Sequence, residues 1–227
     1  MKIKWGALVT DGRGKVGGHV ASKNKAGAYI RTKVTPANPN TEYQSGVRAR
    51  LSALSTAWRG LTEAQRTAWN DAVEQYKGTD VFGDIKNPTG FNLHQRLNNN
   101  LAQIDVAAIT TPPLPEAVAG ISTGVLAAAN GGAITVTFTV DPVFTDCDLV
   151  ADATPAISPG INNAKKEFRR IGKYSAVTTH VLTLTTEYNA KFGAVGAAGQ
   201  KVFVRLKMIN KTTGQAGIPV IYSAVIS

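Results

Sequence analysis

Cysteine is all but absent: Cys147 stands alone, so the chain cannot form an internal disulfide or assemble a thiolate metal cluster. The three histidines, His19, His94 and His180, fall in separate segments without ligand spacing, whereas a metal site needs three or four convergent ligands. No metal or cofactor is therefore expected. No apolar run approaches the roughly 20 residues of a membrane helix, so no membrane partner is expected. Met1-Lys2-Ile3-Lys4-Trp5-Gly6 has lysines but no apolar run behind them, which argues against a secretory signal. Acids are scarce, 15 against 25 lysines and arginines. None of them, and no serine or cysteine, sits in a recognisable nucleophile or paired-carboxylate motif, so no catalytic residue is selected and the reading is a non-enzyme. Synthesis in a reducing cytoplasm fits this composition.

What is present is positive charge, unevenly placed. The net charge is +10. Residues 1–50 carry Lys2, Lys4, Arg13, Lys15, Lys23, Lys25, Arg31, Lys33, Arg48 and Arg50 against only Asp11 and Glu42, and so hold +8 of it. A basic segment joined to a nearly neutral body points to an anionic partner, a nucleic acid or an acidic protein surface. Gly12-Arg13-Gly14-Lys15-Val16-Gly17 matches G-x-G-x-x-G. A dinucleotide site needs that turn between a strand and a helix, with an acid about 20 residues on. Here Gly18-His19-Val20 follows and the next acid is Glu42, so the segment reads as a basic turn. Trp5 and Tyr29 are the only aromatics of residues 1–40, too few for sequence-specific readout of nucleic acid.

The fold class expected is α+β. Residues 1–40 read as an extended basic arm with short strands near Gly6–Thr10, His19–Ser22 and Ala28–Thr32, the last able to add as an edge strand to a neighbour. Gly17-Gly18 suits a hairpin turn. The candidate partner-binding residues are Lys2, Lys4, Trp5, Arg13, Lys15, Lys23, Lys25, Tyr29, Arg31, Lys33 and Arg48. Pro36 and Pro39 mark a hinge.

Residues 41–108 read as helical. Val47, Leu51, Leu54 and Trp58 share one face of a first helix. Thr62-Glu63-Ala64-Gln65 is a capping box opening a second. Leu51, Leu54, Trp58, Trp69 and Val73 are expected to pack an antiparallel helical hairpin with both tryptophans near its seam. A third helix runs from Phe91 to about Ile104, with His94 on its surface and Asn98-Asn99-Asn100 turned to solvent or a partner.

A Pro-rich linker, 109–116, precedes residues 117–227, where the apolar period changes to two. Ala133–Val140, Cys147–Ala151, Phe168–Tyr174, His180–Thr185, Val202–Ile209 and Ile218–Ile226 are strand candidates, with a helical turn at Thr186–Phe192. Together they predict an antiparallel β-sandwich of immunoglobulin or fibronectin-III type. Lys165-Lys166 and Arg169-Arg170 read as a solvated basic face. There is no internal repeat.

Several strings carry a resemblance. They are Gly14-Lys15-Val16-Gly17-Gly18, the segment Thr35–Gln44, Trp58–Arg66 with Ala68-Trp69-Asn70, and the C-terminal Ser158-Pro159-Gly160-Ile161 and Gly214-Gln215-Ala216-Gly217. The chain resembles a poorly characterised family of structural proteins of tailed bacteriophages and prophages, with relatives in Bacteroidetes. The resemblance implies a virion component made in the bacterial host cytoplasm. It would be a capsid-cementing or auxiliary protein, or a head–tail protein at the portal vertex, forming homo-oligomers and touching capsid, portal or tail subunits. It brings no catalytic residues. The alternative is a non-specific DNA-binding protein using the basic arm.

Overall fold

The computed structural model describes residues 1–227 except 5, 7–11, 26, 36, 37, 39, 119, 142–145 and 176–180. Trp5, residues 7–10 of the expected strand Gly6–Thr10, the hinge prolines Pro36 and Pro39, and His180 thus lie outside the described residues. The chain is a mixture of helix and sheet, with several antiparallel sheets and, among the described residues, four α-helices.

The N-terminal segment is folded back on itself rather than extended. Strands β1 (Gly14–Val16), β2 (His19–Asn24) and β3 (Gly27–Thr32) form an antiparallel meander. Val16 pairs with His19, so Gly17 and Gly18 are the two-residue turn, and Gly17 takes φ 56°, the left-handed conformation such turns require. Residues 1–3 then bond along the far side of β3: Ile30 N–H donates to Met1 O at 2.8 Å and Ile3 N–H to Ala28 O at 3.0 Å. β3 is therefore flanked on both sides and is not the open edge that the sequence suggested. From Ala28 to Ile30 its outer ladder groups already have partners within the chain.

The helical part follows. Helix α1 (Glu42–Gly60) is capped by Thr41, whose hydroxyl accepts from Gln44 N–H. Helix α2 (Glu63–Asp71) opens with the expected box: Thr62 Oγ1 accepts from Gln65 N–H at 3.3 Å and Gln65 Oε1 from Thr62 N–H at 2.9 Å. A 3-10 turn (Ala72–Tyr76) and two short strands, β4 (Gly78–Thr79) and β5 (Ile85–Lys86), lead to helix α3 (Gly90–Leu101), which ends before Ile104.

The two-helix seam is replaced by a three-helix arrangement. α1 and α2 both pack on α3, and Trp58 and Trp69 meet its His94 edge-on at 5.3 and 5.2 Å instead of meeting each other. α3 supplies the longer apolar stripe, with Leu93, Leu97 and Leu101 fully buried, so both shorter faces converge on it. Leu54, Trp69 and Val73 are buried as expected, and Trp58 packs at the rim of the same cluster. Leu51 is 55% exposed and Val47 42%, because α3 covers only the C-terminal half of the α1 stripe.

Two further expectations are corrected. His94 is 1% exposed, and burial lowers its pKa from the ordinary histidine value. Asn98 faces inward: its side chain donates to Ile109 O at 3.2 Å and accepts from Ile109 N–H at 2.7 Å, so the amide substitutes for a strand partner. Asn100 donates to Gly214 O.

The Pro-rich segment is tied down on both sides. Trp69 Nε1 donates to Thr110 O and Tyr76 Oη to Pro113 O, both at 2.9 Å, while Gln215 Nε2 donates to Leu114 O at 3.2 Å. Beyond it lie strands β6 (Gly120–Ala128), β7 (Ile134–Asp141), β8 (Cys147–Ala153), β9 (Arg169–Ser175), β10 (Val181–Thr183), β11 (Lys201–Asn210) and β12 (Val220–Val225), with helix α4 (Thr185–Phe192). They make two antiparallel sheets, β10-β7-β6 and β12-β11-β8-β9, sharing one core that includes Ile134, Val136, Phe138, Leu149, Val204 and Leu206. The other face of β8 and β11 is covered as well: Val150 and Ile209 cluster with Leu101 and Ile104 from the end of the helical part. β6 was not expected, since Gly124 and its alanines have little strand preference. Gly124 is needed there: a Cβ would meet Thr137 O at 2.6 Å.

Candidate functional site

The N-terminal cations divide into those held within the fold and those left outside it. Lys2 Nζ lies 3.6 Å from Asp80, and Lys4 Nζ lies 2.9 Å from Asp84 and 5.3 Å over the Phe82 ring. Both lysines therefore pin residues 1–4 to the loop between β4 and β5. Desolvation would raise the Asp80 carboxyl, but it accepts from Phe82 and Asp84 N–H and faces Lys2 and Lys86, and the balance holds it below the usual carboxylate range. Arg48 donates to Asn38 Oδ1 at 2.6 Å and Asn40 Oδ1 at 3.1 Å, which fixes the approach to α1.

The remaining cations are differently placed. Register puts Lys15 opposite Val20 and Val20 opposite Arg31, so Lys15 and Arg31 share one face of the sheet, two strands or about 10 Å apart. Ser22 and the half-buried Tyr29 are on the same face. Ala21, on the opposite face, is buried. Lys15, Arg31 and Lys33 are exposed and none has a carboxylate in salt-bridge range among the described residues. Arg13 and Lys23 are exposed at the same sheet.

Lys25, at the β2–β3 turn, joins cations that the sequence did not group with it. It lines a basin of about 520 Å³ together with Lys77, Lys86 and Arg96. Lys77 is paired with Glu74 at 2.6 Å, and the Arg96 guanidinium lies 5.5 Å over the Tyr76 ring. Lys25 has no such acid among the described residues, and Lys86 faces Asp80 without reaching salt-bridge range. No acid among the described residues lines the basin. Lys77, Lys86 and Arg96 come from a loop and a helix far along the chain, so only the fold makes them continuous with the N-terminal charge.

Some of the charges in the body are internal. Asp152, on β8, accepts from Arg170 Nε at 2.6 Å and from Arg205 Nη2 at 2.7 Å. Burial alone would raise its carboxyl; the two guanidiniums outweigh that and hold it low. Arg170 also donates to Gln103 Oε1 at 2.8 Å. It is therefore an internal bridge between sheet and helices, not part of a solvated basic face, whereas Lys165, Lys166 and Arg169 are exposed. Asp148 lies 3.3 Å from Lys211. Among the described residues no group of three His, Cys, Asp or Glu could hold a metal ion, and no helix is long and apolar enough to cross a membrane.

Comparison with known proteins assigns no family. No family model matches the chain, and no curated protein matches it. Among solved structures, a computer-redesigned β-sandwich protein aligns at 12% identity over 47% of this chain and 93% of its own, with a TM-score of 0.33. A myokine structure aligns at 11% identity over 49% of this chain and 100% of its own, with a TM-score of 0.31. At such scores neither carries an argument about this chain.

Proposed function

We propose that this protein is a structural component of a tailed-phage virion, capsid-cementing or at the head–tail junction, that works by protein–protein contact through its N-terminal basic sheet. The observation that carries the reading is the split of its charges. Arg170, Arg205 and Lys211 in the body pair with the buried Asp152 and Asp148, while Lys15, Lys25, Arg31 and Lys33 stand exposed with no carboxylate in salt-bridge range among the described residues. Unpaired like charges repel one another in the free protein, and an acidic partner relieves that repulsion. The resemblance of Thr35–Gln44 and Trp58–Arg66 to phage structural proteins gives the partner its setting. The two facing sheets of residues 120–225 support an immunoglobulin- or fibronectin-III-like sandwich as the outward module.

Mass spectrometry of particles purified after prophage induction tests this. The reading expects the chain in fixed stoichiometry to the major capsid or portal protein. Its absence from particles overturns the reading. DNA binding is the second reading, favoured by the same cations. A loss of about a thousandfold in DNA affinity between roughly 50 and 200 mM salt would mark it, as expected for neutralising six or more phosphates.

A further inference from the structure

The first half of α1 stands away from the rest of the molecule. Tyr43, Val47 and Leu51 follow one another at helical spacing and are 63, 42 and 55% exposed. They make an apolar stripe about 12 Å long. The same face of the helix is buried further on, at Leu54. Beside the stripe a cleft of about 600 Å³ separates α1 from the β-sheet part. Its α1 wall includes Tyr43, and its far wall holds Phe168, Arg169, Arg170, Lys191 and Phe192. No acid lines it. Arg170 is already paired with Asp152, whereas Arg169 donates to the carbonyls of Lys166 and Phe168, and neither Arg169 nor Lys191 has an acid partner among the described residues. Gln44, also in the wall, has a buried Oε1 without a hydrogen-bond donor among the described residues.

We infer that this cleft and the adjoining α1 stripe form a second docking surface, whose occupant is an acidic, apolar segment of a partner protein. The apolar stripe needs side chains to bury, which a phosphate backbone does not offer. The two unneutralised cations at its rim select carboxylates over basic residues. A second copy of the N-terminal sheet is excluded by charge, since that sheet is itself basic. The inference rests on the proposed reading in that both need a protein partner, but it names a different surface.

Fluorescence anisotropy on the full chain tests it, with a labelled synthetic peptide of alternating glutamate-rich and leucine positions at helical spacing. Two controls replace its glutamates with lysine or use an oligothymidylate of similar length. The acidic peptide should bind, and Val47→Ser/Leu51→Ser and Arg169→Glu/Lys191→Glu should each weaken it about tenfold or more. All four side chains lie at the surface, and near-ultraviolet circular dichroism checks that the fold is kept. Lys15→Glu/Arg31→Glu should leave peptide affinity unchanged, so the two surfaces fail separately. No binding of the acidic peptide, or equal binding by both cleft variants, overturns the inference. It is also overturned if oligothymidylate, and not the peptide, loses affinity in Arg169→Glu/Lys191→Glu. Sedimentation showing a dimer that Val47→Ser/Leu51→Ser dissolves would assign the face to a second copy instead.

Discussion

Strands β2 and β8 both run between antiparallel partners, yet they treat charge in opposite ways. Every residue of β8, Cys147–Ala153, is buried, including Asp148 and Asp152. In β2 only Ala21 is buried, and its one lysine, Lys23, is exposed. The reason is what covers each sheet. β8 has the second sheet on one face and the Leu101–Ile104 corner on the other, so each carboxylate entering it must bring its own cations. β2 is covered on one face alone. Buried charge in this molecule serves stability, and exposed charge is available to a partner.

A large effect that sharpens this contrast is expected from loss of Asp152. Asp152→Asn leaves Arg170 and Arg205 facing each other without a counter-charge and should lower the unfolding free energy by about 3 kcal/mol in urea denaturation. Because the folded-state pKa is depressed, the stability Asp152 contributes is present above the ordinary aspartate range and is lost as pH falls through the folded value. Asp152→Asn should remove that acid dependence. Trp69→Ala should cost a similar amount, about 3–5 kcal/mol, through the emptied core and the orphaned Thr110 carbonyl.

His94 comes next. Its pKa is lowered in the fold, so the unfolded chain takes up its proton first as pH falls. Stability should therefore drop below the ordinary histidine pKa, at most by about 1.4 kcal/mol per pH unit. A His94→Gln variant should flatten the stability profile between about pH 7 and 5. Thr62→Ala removes one half of the capping box and should cost about 1 kcal/mol.

The capping box and the hairpin turn were legible in the sequence because each depends on residues within three positions. So were most strands of residues 133–226, whose alternation reports a half-buried face. What could not be read is which face meets what. His94 and Asn98 looked like surface residues, since a polar residue on an amphipathic helix is usually solvated; tryptophans from two other helices and the backbone at Ile109 enclose them. Val47 and Leu51 looked like core, since periodicity cannot say where the covering helix ends. At the candidate site the N-terminal cations were legible as charge. Their division was not: Lys2, Lys4 and Arg48 are held by Asp80, Asp84, Asn38 and Asn40, and Lys25 gains Lys86 and Arg96 as neighbours only through folding.

The smallest expected change in stability, coupled to a large one in function, tests the central claim most directly. Lys15→Glu/Lys25→Glu/Arg31→Glu reverses exposed charges with no acid partner among the described residues. Unfolding free energy and incorporation into purified particles should be measured on that one variant. Stability within about 0.5 kcal/mol of the parent, with incorporation reduced at least about tenfold, is the result predicted. Unchanged incorporation, or a loss of stability large enough to account for its failure, would contradict the division of the molecule into charges that hold the fold and charges that meet a partner.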